Sequence, residues 1–496
     1  MAKSKHIVVI GAGISGLAAA SILAAAGSKV TLFERNATPG GKMQELKLNG
    51  YRFDTGPGLL TLPELIENLF KRCGENWKDY LSVVEPDPLG RYFYPDGTIF
   101  DNHHNRIKTT ANIKEFAPED SLAYGKFLDY SEKLYERTSA AFLLNPLYQW
   151  SDLKAQNLLD ALKIDAFQTV SQKVDTVFKS EYLRKFFKRF ATYSGSSPFQ
   201  APATLNVIPH VEISKGGFYV KGGMYKIAQS LENLAIKKGV IIRYSTDVKK
   251  IEVSGHKVTG IQLQSGKHVT CDIVISNSDA YETILKLIDK KWISASKRKK
   301  QEKLEPSCSG LVLFLGVRKR WEKLRHHNIF FSSDYKQEFR QIFKDKILPV
   351  DPTIYIANTS FTDPDHAPAG SSNLFVLVNA PSLPANQDWK VAKKTYPDII
   401  INKLQQYGLD NLRGSIETQA VLAPPDFYTK YRSNRGSIYG TSSNSRLAAF
   451  MRPRNKIKEI KGLYMAGGST HPGGGIPLVI LSAMHAVTLI ERYETL

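Results

Sequence analysis

The sequence predicts an α/β protein: a parallel-sheet domain carrying a mixed α+β domain with a helical part. Three observations predict it. Near the N-terminus a short apolar run passes through a glycine-rich turn into an Ala- and Leu-rich stretch, and a second apolar run comes next. A strand-like run, glycine-rich turn and apolar helix-like stretch return near the C-terminus, with groups of strand-like and helix-like stretches between. At 496 residues the chain also exceeds the roughly 250–300 at which one core stops growing, so two joined domains are expected.

In chain order, His6–Ile10 (HIVVI) suits a strand buried on both faces, residues 16–26 suit a helix, and residues 29–34 (KVTLFE) suit the next strand. Together they form a βαβ unit. Residues 7–28 carry no charge, as a signal or anchor segment would, but Gly11, Gly13, Gly16 and Gly27 weaken a spanning helix. The first three sit at the offsets of a nucleotide-binding turn, so the segment is read as such, and no other spanning segment is expected.

A helical region is expected over about 121–189, rich in Tyr, Phe, Lys and Leu. Residues 222–239 read as an amphipathic helix, with apolar positions at Met224, Ile227, Leu231, Leu234 and Ala235. Three strand-like runs come after it (VIIRYSTDVKKIEV, VTGIQLQSG, VTCDIVISN) and are expected to return to the first sheet. LVLFLGV (311–317), TIYIAN (353–358) and NLFVLVNA (373–380) suggest a second sheet. We expect a nucleotide domain from 1–85, 216–290 and 448–496, and a substrate domain from 86–215 and 291–447 with a membrane-facing helical part at about 121–210.

Gly11-Ala12-Gly13-Ile14-Ser15-Gly16 has the GxGxxG form between a strand and a helix, where backbone N–H groups and the helix dipole face a pyrophosphate. Glu34 lies about 20 residues further on, at the end of the second strand, where a carboxylate accepts hydrogen bonds from ribose hydroxyls. This is a Rossmann-like dinucleotide signature. Nicotinamide and flavin enzymes share it, and the next two loops of the chain favour flavin. Pro39-Gly40-Gly41-Lys42 and Thr55-Gly56-Pro57-Gly58 are glycine-rich as well, suited to cradling a longer cofactor. Lys42 is read either as a pyrophosphate contact or as a solvated loop lysine, and Arg35 either as a cover for the adenine or as a surface residue.

Near the C-terminus, Gly473-Gly474-Gly475-Ile476-Pro477 leads into the last helix, with Pro477 in the first turn where a missing N–H costs nothing. A helix N-terminus aimed at a flavin stabilises the negative charge that hydride uptake places there. His471, held in a Gly-Pro turn, is read as structural rather than as a base.

The charge is strongly basic: 67 Lys and Arg against 47 Asp and Glu leave +20. Basic residues interleave with apolar ones and no zinc-finger or RNA-recognition signature is seen, so a membrane surface outranks nucleic acid as partner. Residues 181–190 (EYLRKFFKRF) mix basic and aromatic residues as an interfacial helix does, with inward packing of the Phe residues as the other reading. Residues 297–300 (KRKK) add a basic cluster that is read as solvated or as meeting anionic headgroups. Cys73, Cys271 and Cys308 are few and scattered, reading as reduced buried thiols in a cytoplasm, and no metal site is expected.

With these residues in view, the chain resembles the phytoene-desaturase family of bacterial carotenoid desaturases, a branch of the FAD amine-oxidase-like folds. The likeness rests on GAGISGLAAASILAAAG, VTLFER, PGGKM, DTGPGLLTLP, FMRPRNKIKEIKGLYMAGGSTHPGGGIP and LSA. It implies FAD contacts at Gly11, Gly13, Gly16, Glu34, Arg35, Gly41, Lys42, Gly56, Pro57 and Gly58. It adds Val248 on the adenine side, Asn277, and Gly468 with Pro477 by the ring. Within the family, Leu478 after Ile-Pro and the run Gly467-Gly468-Ser469-Thr470-His471 look most like 1-hydroxycarotenoid 3,4-desaturases. A functional acid and base proposed in phytoene desaturases fall near Asp152 and Lys154. Asp152 is carried over as the catalytic candidate, although the spacing differs and it also reads as a helix cap.

The resemblance implies hydride transfer from a polyene to flavin and then proton loss, on a cytoplasmic enzyme held peripherally at the inner face of the cell membrane. A hydroxylated end group would be recognised by hydrogen bonding. His103, His104, Tyr219 and Tyr225 are polar enough, but nothing in the sequence singles them out. The alternatives are a phytoene or dehydrosqualene desaturase, a carotenoid isomerase or saturase, an amine oxidase, and a non-catalytic prenyl-lipid carrier.

Overall fold

The computed structural model describes residues 5–139, 145, 146, 148, 164–445 and 452–495. Its first sheet has five strands in the order Leu463–Met465, Ile273–Ser276, His6–Ile10, Lys29–Phe33 and Ile241–Arg243. Every neighbouring pair is parallel, with Ile7 opposite Val30 on one side and Ile273 on the other. The helices Ile14–Ala25, Lys226–Lys237 and Ile476–Tyr493 share one hydrophobic core with this sheet. A strand at His6–Ile10 and a separate helix from Ile14 also end the anchor reading of residues 7–28.

The three runs after Lys226–Lys237 do not all return to this sheet. Only Ile241–Arg243 and Ile273–Ser276 do. Between them Val248–Ser254, Lys257–Leu263 and His268–Thr270 form an antiparallel sheet of their own. The cause is local: Gly255 and His256 both have positive φ, +53° and +60°, the two-residue hairpin turn that pairs neighbouring strands with each other.

The expected second sheet has seven strands, ordered Ile416–Leu422, Ser309–Val317, Ser372–Ala380, Ile354–Asn358, His327–Phe330, Gly90–Phe93 and Ile99–Asn102. All pairs are antiparallel except His327–Phe330 with Gly90–Phe93. The helices Ser121–Thr138, Val170–Val177 and Glu181–Lys188 pack an aromatic core against its far end.

That packing decides between the two readings of residues 181–190. Phe186 and Phe187 are fully enclosed and Phe190 is 1% exposed, so the aromatic face is core and offers no apolar surface to a membrane. Of the basic run at 297–300, Lys297 pairs with Glu459 and Arg298 donates to the carbonyls of Ile284 and Leu285. Lys299 and Lys300 remain exposed. One helix among the described residues, Ile476–Tyr493, is long and apolar enough to cross a membrane, contrary to the expectation that no further spanning segment exists. It lies against Ile14–Ala25, and both helices belong to the core under the parallel sheet.

Candidate functional site

A cavity of about 700 Å³ runs from the carboxyl ends of the parallel strands into the second domain. Of the residues singled out from sequence, Gly11, Gly13, Ile14, Ser15, Glu34, Arg35, Gly41 and Lys42 line it. So do Gly56, Pro57, Gly58, Val248, Asn277, Gly468 and Pro477. Gly16 does not. A Cβ there would lie 2.0 Å from the Gly11 carbonyl oxygen, so Gly16 serves the close packing of helix on turn rather than contact with a ligand. Asp152 and Lys154 lie outside the described residues.

The cradle is held by side chains that bind backbone. Glu34 is buried, accepting from the N–H of Ala12 and of Asn36, both at 2.8 Å, which fixes its carboxylate at the cavity wall. Asn277 donates to the Ala466 carbonyl at 2.7 Å, and a Cβ on Gly13 would meet its Oδ1 at 2.5 Å. It thus ties the N-terminal turn to the C-terminal strand. Asp54, missed from sequence, anchors the adjoining loop by accepting from the N–H of Met224 and Tyr225 while paired with Arg52. An acid just before a glycine-rich loop was the available signal.

Of the two sequence readings of Lys42, the solvated loop lysine is not what the structure has. Its ammonium donates to the carbonyls of Ser437 (3.1 Å) and Ile438 (2.8 Å), so it is not solvated, and one of its three N–H donors remains for a further acceptor. Burial lowers its pKa to about 8, with Asp279 opposing the shift.

At the other end the helix Ile476–Tyr493 begins at Gly475, whose φ of +112° suits glycine, and its first turn has no side-chain cap. Gly474, Gly475, Ile476 and Pro477 line the cavity there. Arg452 lines the same end, and sequence reasoning missed it. It donates to the Pro472 carbonyl and to Ser443, no carboxylate among the described residues pairs with it, and burial lowers its pKa to about 10. His471 spends its Nε2–H on the Asn145 carbonyl at 3.0 Å, and burial beside His485 lowers its pKa to about 4. That is the structural role its Gly-Pro setting suggests.

The lining also has an apolar part, with Leu59, Leu89, Ile208, Val211, Ile329, Phe375 and Leu377. A buried polar group interrupts it. Arg189 donates to Tyr92 at 2.7 Å and to Glu212 at 3.2 Å, and Tyr193 hydrogen-bonds Glu212. His103, His104, Tyr219 and Tyr225, the polar residues noted from sequence, do not line the cavity.

The groups along the cavity fit an FAD: side-chain-free backbone at Gly11 and Gly13, a fixed carboxylate at Glu34, and an uncapped helix end beside Arg452.

The comparisons with known proteins agree with that fit. The chain matches the family of flavin containing amine oxidoreductases over residues 14–490. It is 37% identical to a 1-hydroxycarotenoid 3,4-desaturase of Flavobacterium sp. (strain P99-3), covering 98% of this chain and 99% of that one. It is 36% identical to a 4,4'-diaponeurosporene oxygenase of Staphylococcus haemolyticus (99% and 98% covered) and to a 4,4'-diapolycopene oxygenase of a Methylomonas species (97% and 96%). Among solved structures, an oxidoreductase of Methanosarcina mazei superposes with a TM-score of 0.65 at 18% identity over 98% of this chain and 100% of that one. Putrescine oxidase bound to putrescine gives 0.64 at 11% identity, with 99% of both chains covered. Both share the fold.

Proposed function

The chain belongs to the family of flavin containing amine oxidoreductases, an FAD-dependent oxidoreductase, and from that premise we propose that it desaturates a carotenoid, introducing the 3,4 double bond of a 1-hydroxylated acyclic end. The observation that carries the reading is the continuity of the cavity. One space joins the nucleotide cradle at Glu34, the helix end at Pro477 and a wall of apolar side chains suited to a hydrocarbon. The identity to a 1-hydroxycarotenoid 3,4-desaturase along nearly the whole length supports the substrate class.

In this reading Gly11, Gly13, Gly41 and Gly56 hold FAD through main chain, Glu34 takes the ribose, and Arg35 and Val248 flank the adenine. FAD, when bound, supplies the acceptor for a hydride. The uncapped first turn at Ile476–Pro477 and the Arg452 guanidinium put positive potential on one wall, favouring the negative charge that hydride uptake brings. The apolar lining orients the polyene and excludes water. Positive charge left on the substrate spreads along its own double bonds, so the walls need supply little beyond position. His471 is committed to backbone and Lys42 to two carbonyls, which leaves neither placed as a dedicated base. The two exposed lysines at 299 and 300 and the net charge of +20 support peripheral attachment to an anionic membrane surface, from which such a substrate is drawn.

A second reading, oxygenation of a polyene end, is favoured by the two oxygenase relatives at 36% identity. One experiment separates them. Flavin-loaded protein in liposomes is given a 1-hydroxylated acyclic carotenoid or 4,4'-diaponeurosporene, with and without oxygen, and product masses are read. Anaerobic flavin bleaching with loss of two hydrogens from the hydroxylated substrate supports desaturation. Oxygen-dependent mass gain on the other overturns it.

A further inference from the structure

One stretch of the cavity wall belongs to no sheet. After the helix Pro424–Tyr431 the chain runs on along the cavity, where Tyr431, Arg432, Ser433, Ile438, Tyr439 and Gly440 line it. Three side chains fasten this stretch, and each lies on a loop that leaves the carboxyl end of a strand of the parallel sheet: Lys42 after Lys29–Phe33, Asp247 after Ile241–Arg243, and Asp279 after Ile273–Ser276. Arg432 makes a bidentate ion pair with Asp247, at 3.0 and 2.6 Å. The Asn434 N–H donates to Asp279 Oδ2 at 3.1 Å, and the Lys42 ammonium donates to the carbonyls of Ser437 and Ile438. The stretch is a strap tied at three points.

The ties are of two kinds. Lys42 and Asp279 lie deep: burial lowers the Lys42 pKa to about 8 and raises that of Asp279. Arg432 and Asp247 lie at an edge. Their side chains are 32% and 26% exposed, and the residues leading up to them, Tyr428, Thr429 and Lys430 on one side and Ser245 on the other, are exposed as well. That edge is the adenosine end of the cavity. The Thr246 N–H donates to the Glu34 carbonyl at 2.8 Å and the Ser245 N–H to the Asn36 carbonyl at 3.0 Å, so the loop carrying Asp247 is stitched to the segment whose acid takes the ribose. Arg35 and Lys430, both exposed, line the cavity beside these two places.

The strap is also held in a strained backbone conformation. Arg432 and Arg435 both have positive φ, +49° and +51°, which a residue with a long side chain keeps only where its surroundings impose it. The Asp247 tie is one such imposition. Its two parallel N–H···O bonds and partial desolvation set it above an ordinary surface pair. The other acid near Arg432, Glu282, lies 3.7 Å from its Nε and is itself paired with Lys286 at 3.0 Å.

We propose that the Arg432–Asp247 pair is a clasp that closes the strap over the adenosine end of the cavity, and that FAD enters and leaves when it opens. The clasp is made of protein groups alone, so it resists entry as well as exit, as a gate does. A residue that merely touches FAD would slow exit and leave entry alone. The inference concerns the cofactor and holds for desaturation and oxygenation alike.

The test compares wild type with Asp247→Asn, Arg432→Gln and the double variant. Release of FAD is followed on the full-length holoprotein, after rapid dilution, as the rise of free-flavin fluorescence. Entry is followed as its quenching when FAD is mixed with the stripped protein, and the two rates give Kd. Thermal melts and the flavin spectrum report folding. Arg413→Gln, which breaks an ion pair with Asp398 away from the cavity, is the control. Each single substitution is expected to speed release about tenfold and the double variant no further, with entry faster too and Kd held within about threefold. Wild-type release in both single variants, additive effects in the double variant, equal acceleration by Arg413→Gln, or faster release with unchanged entry overturns the clasp. The last of these would make Arg432 a direct FAD contact.

Discussion

The two halves of the cavity are made of different material. At the Glu34 end the surface is main chain, presented by Gly11, Gly13 and Gly41 and held in place by Glu34, Asn277 and Asp54, each of which bonds to backbone. At the Arg189 end the surface is side chain, brought together from four distant stretches by Tyr92, Arg189, Glu212 and Tyr355. A main-chain surface reads a fixed shape and tolerates little change in the residues that make it. A side-chain surface changes with single substitutions, at little cost where the side chain is apolar and at a large one where half of a buried ion pair is removed. The difference separates a surface fixed by the fold itself from one that single side chains can alter.

The contrast can be broken or sharpened by experiment. The largest effect is expected at the side-chain end. Glu212→Ala strands the buried Arg189 charge and should cost about 3–5 kcal/mol, read as a lower urea midpoint at unchanged slope. At the cradle, Gly16→Ala drives a Cβ into the Gly11 carbonyl and should cost about 3 kcal/mol. Flavin retention after gel filtration should fall with it; full retention would contradict the close-packing role. Acid reaches both halves. His327 and His471 titrate near pH 3 and 4 when folded, from an ordinary value of 6.5. Unfolded imidazoles take up protons first, so stability present above pH 6.5 is lost as pH falls, by about 2 kcal/mol per imidazole at pH 5. Thermal melts at pH 7 and 5 check the sign, and His327→Phe should remove part of the dependence. The smallest effect is expected for Glu34→Gln, which keeps the shape but replaces one acceptor by an NH2 donor and so loses the bond from Ala12 or from Asn36. About 1 kcal/mol of stability and roughly tenfold in FAD affinity should go, the latter measured by fluorescence titration of the apoprotein.

Legibility in the sequence divides along the same line. The cradle was readable because its parts are local: strand, GxGxxG, helix and acid lie within one βαβ unit, and each residue type has one physical reason to be there. The apolar runs at 311–317 and 373–380 were legible as strands because an enclosed sheet leaves no alternation to misread. The antiparallel sheet after residue 248 was misassigned, since its fate turned on two positive-φ residues in one hairpin. The buried group of Arg189, Glu212 and Tyr92 could not be found. Its members are far apart in the chain, and Arg189 sits in a basic, aromatic run that reads equally as interface or core. Which of these it is depends on the turn of Phe186 and Phe187 toward the aromatic core, a tertiary fact.

The edge strand Leu463–Met465 and the helix from Ile476 complete a sheet and a cavity that His6–Ile10 begins, with Asn277 bridging turn and strand. In biosynthesis this sets an order of events. A ribosome releases the glycine-rich turn more than 400 residues before it releases the opposite wall. Until Leu463–Met465 and the helix from Ile476 have emerged, the nascent chain lacks a closed FAD pocket, and capture of the cofactor waits for them.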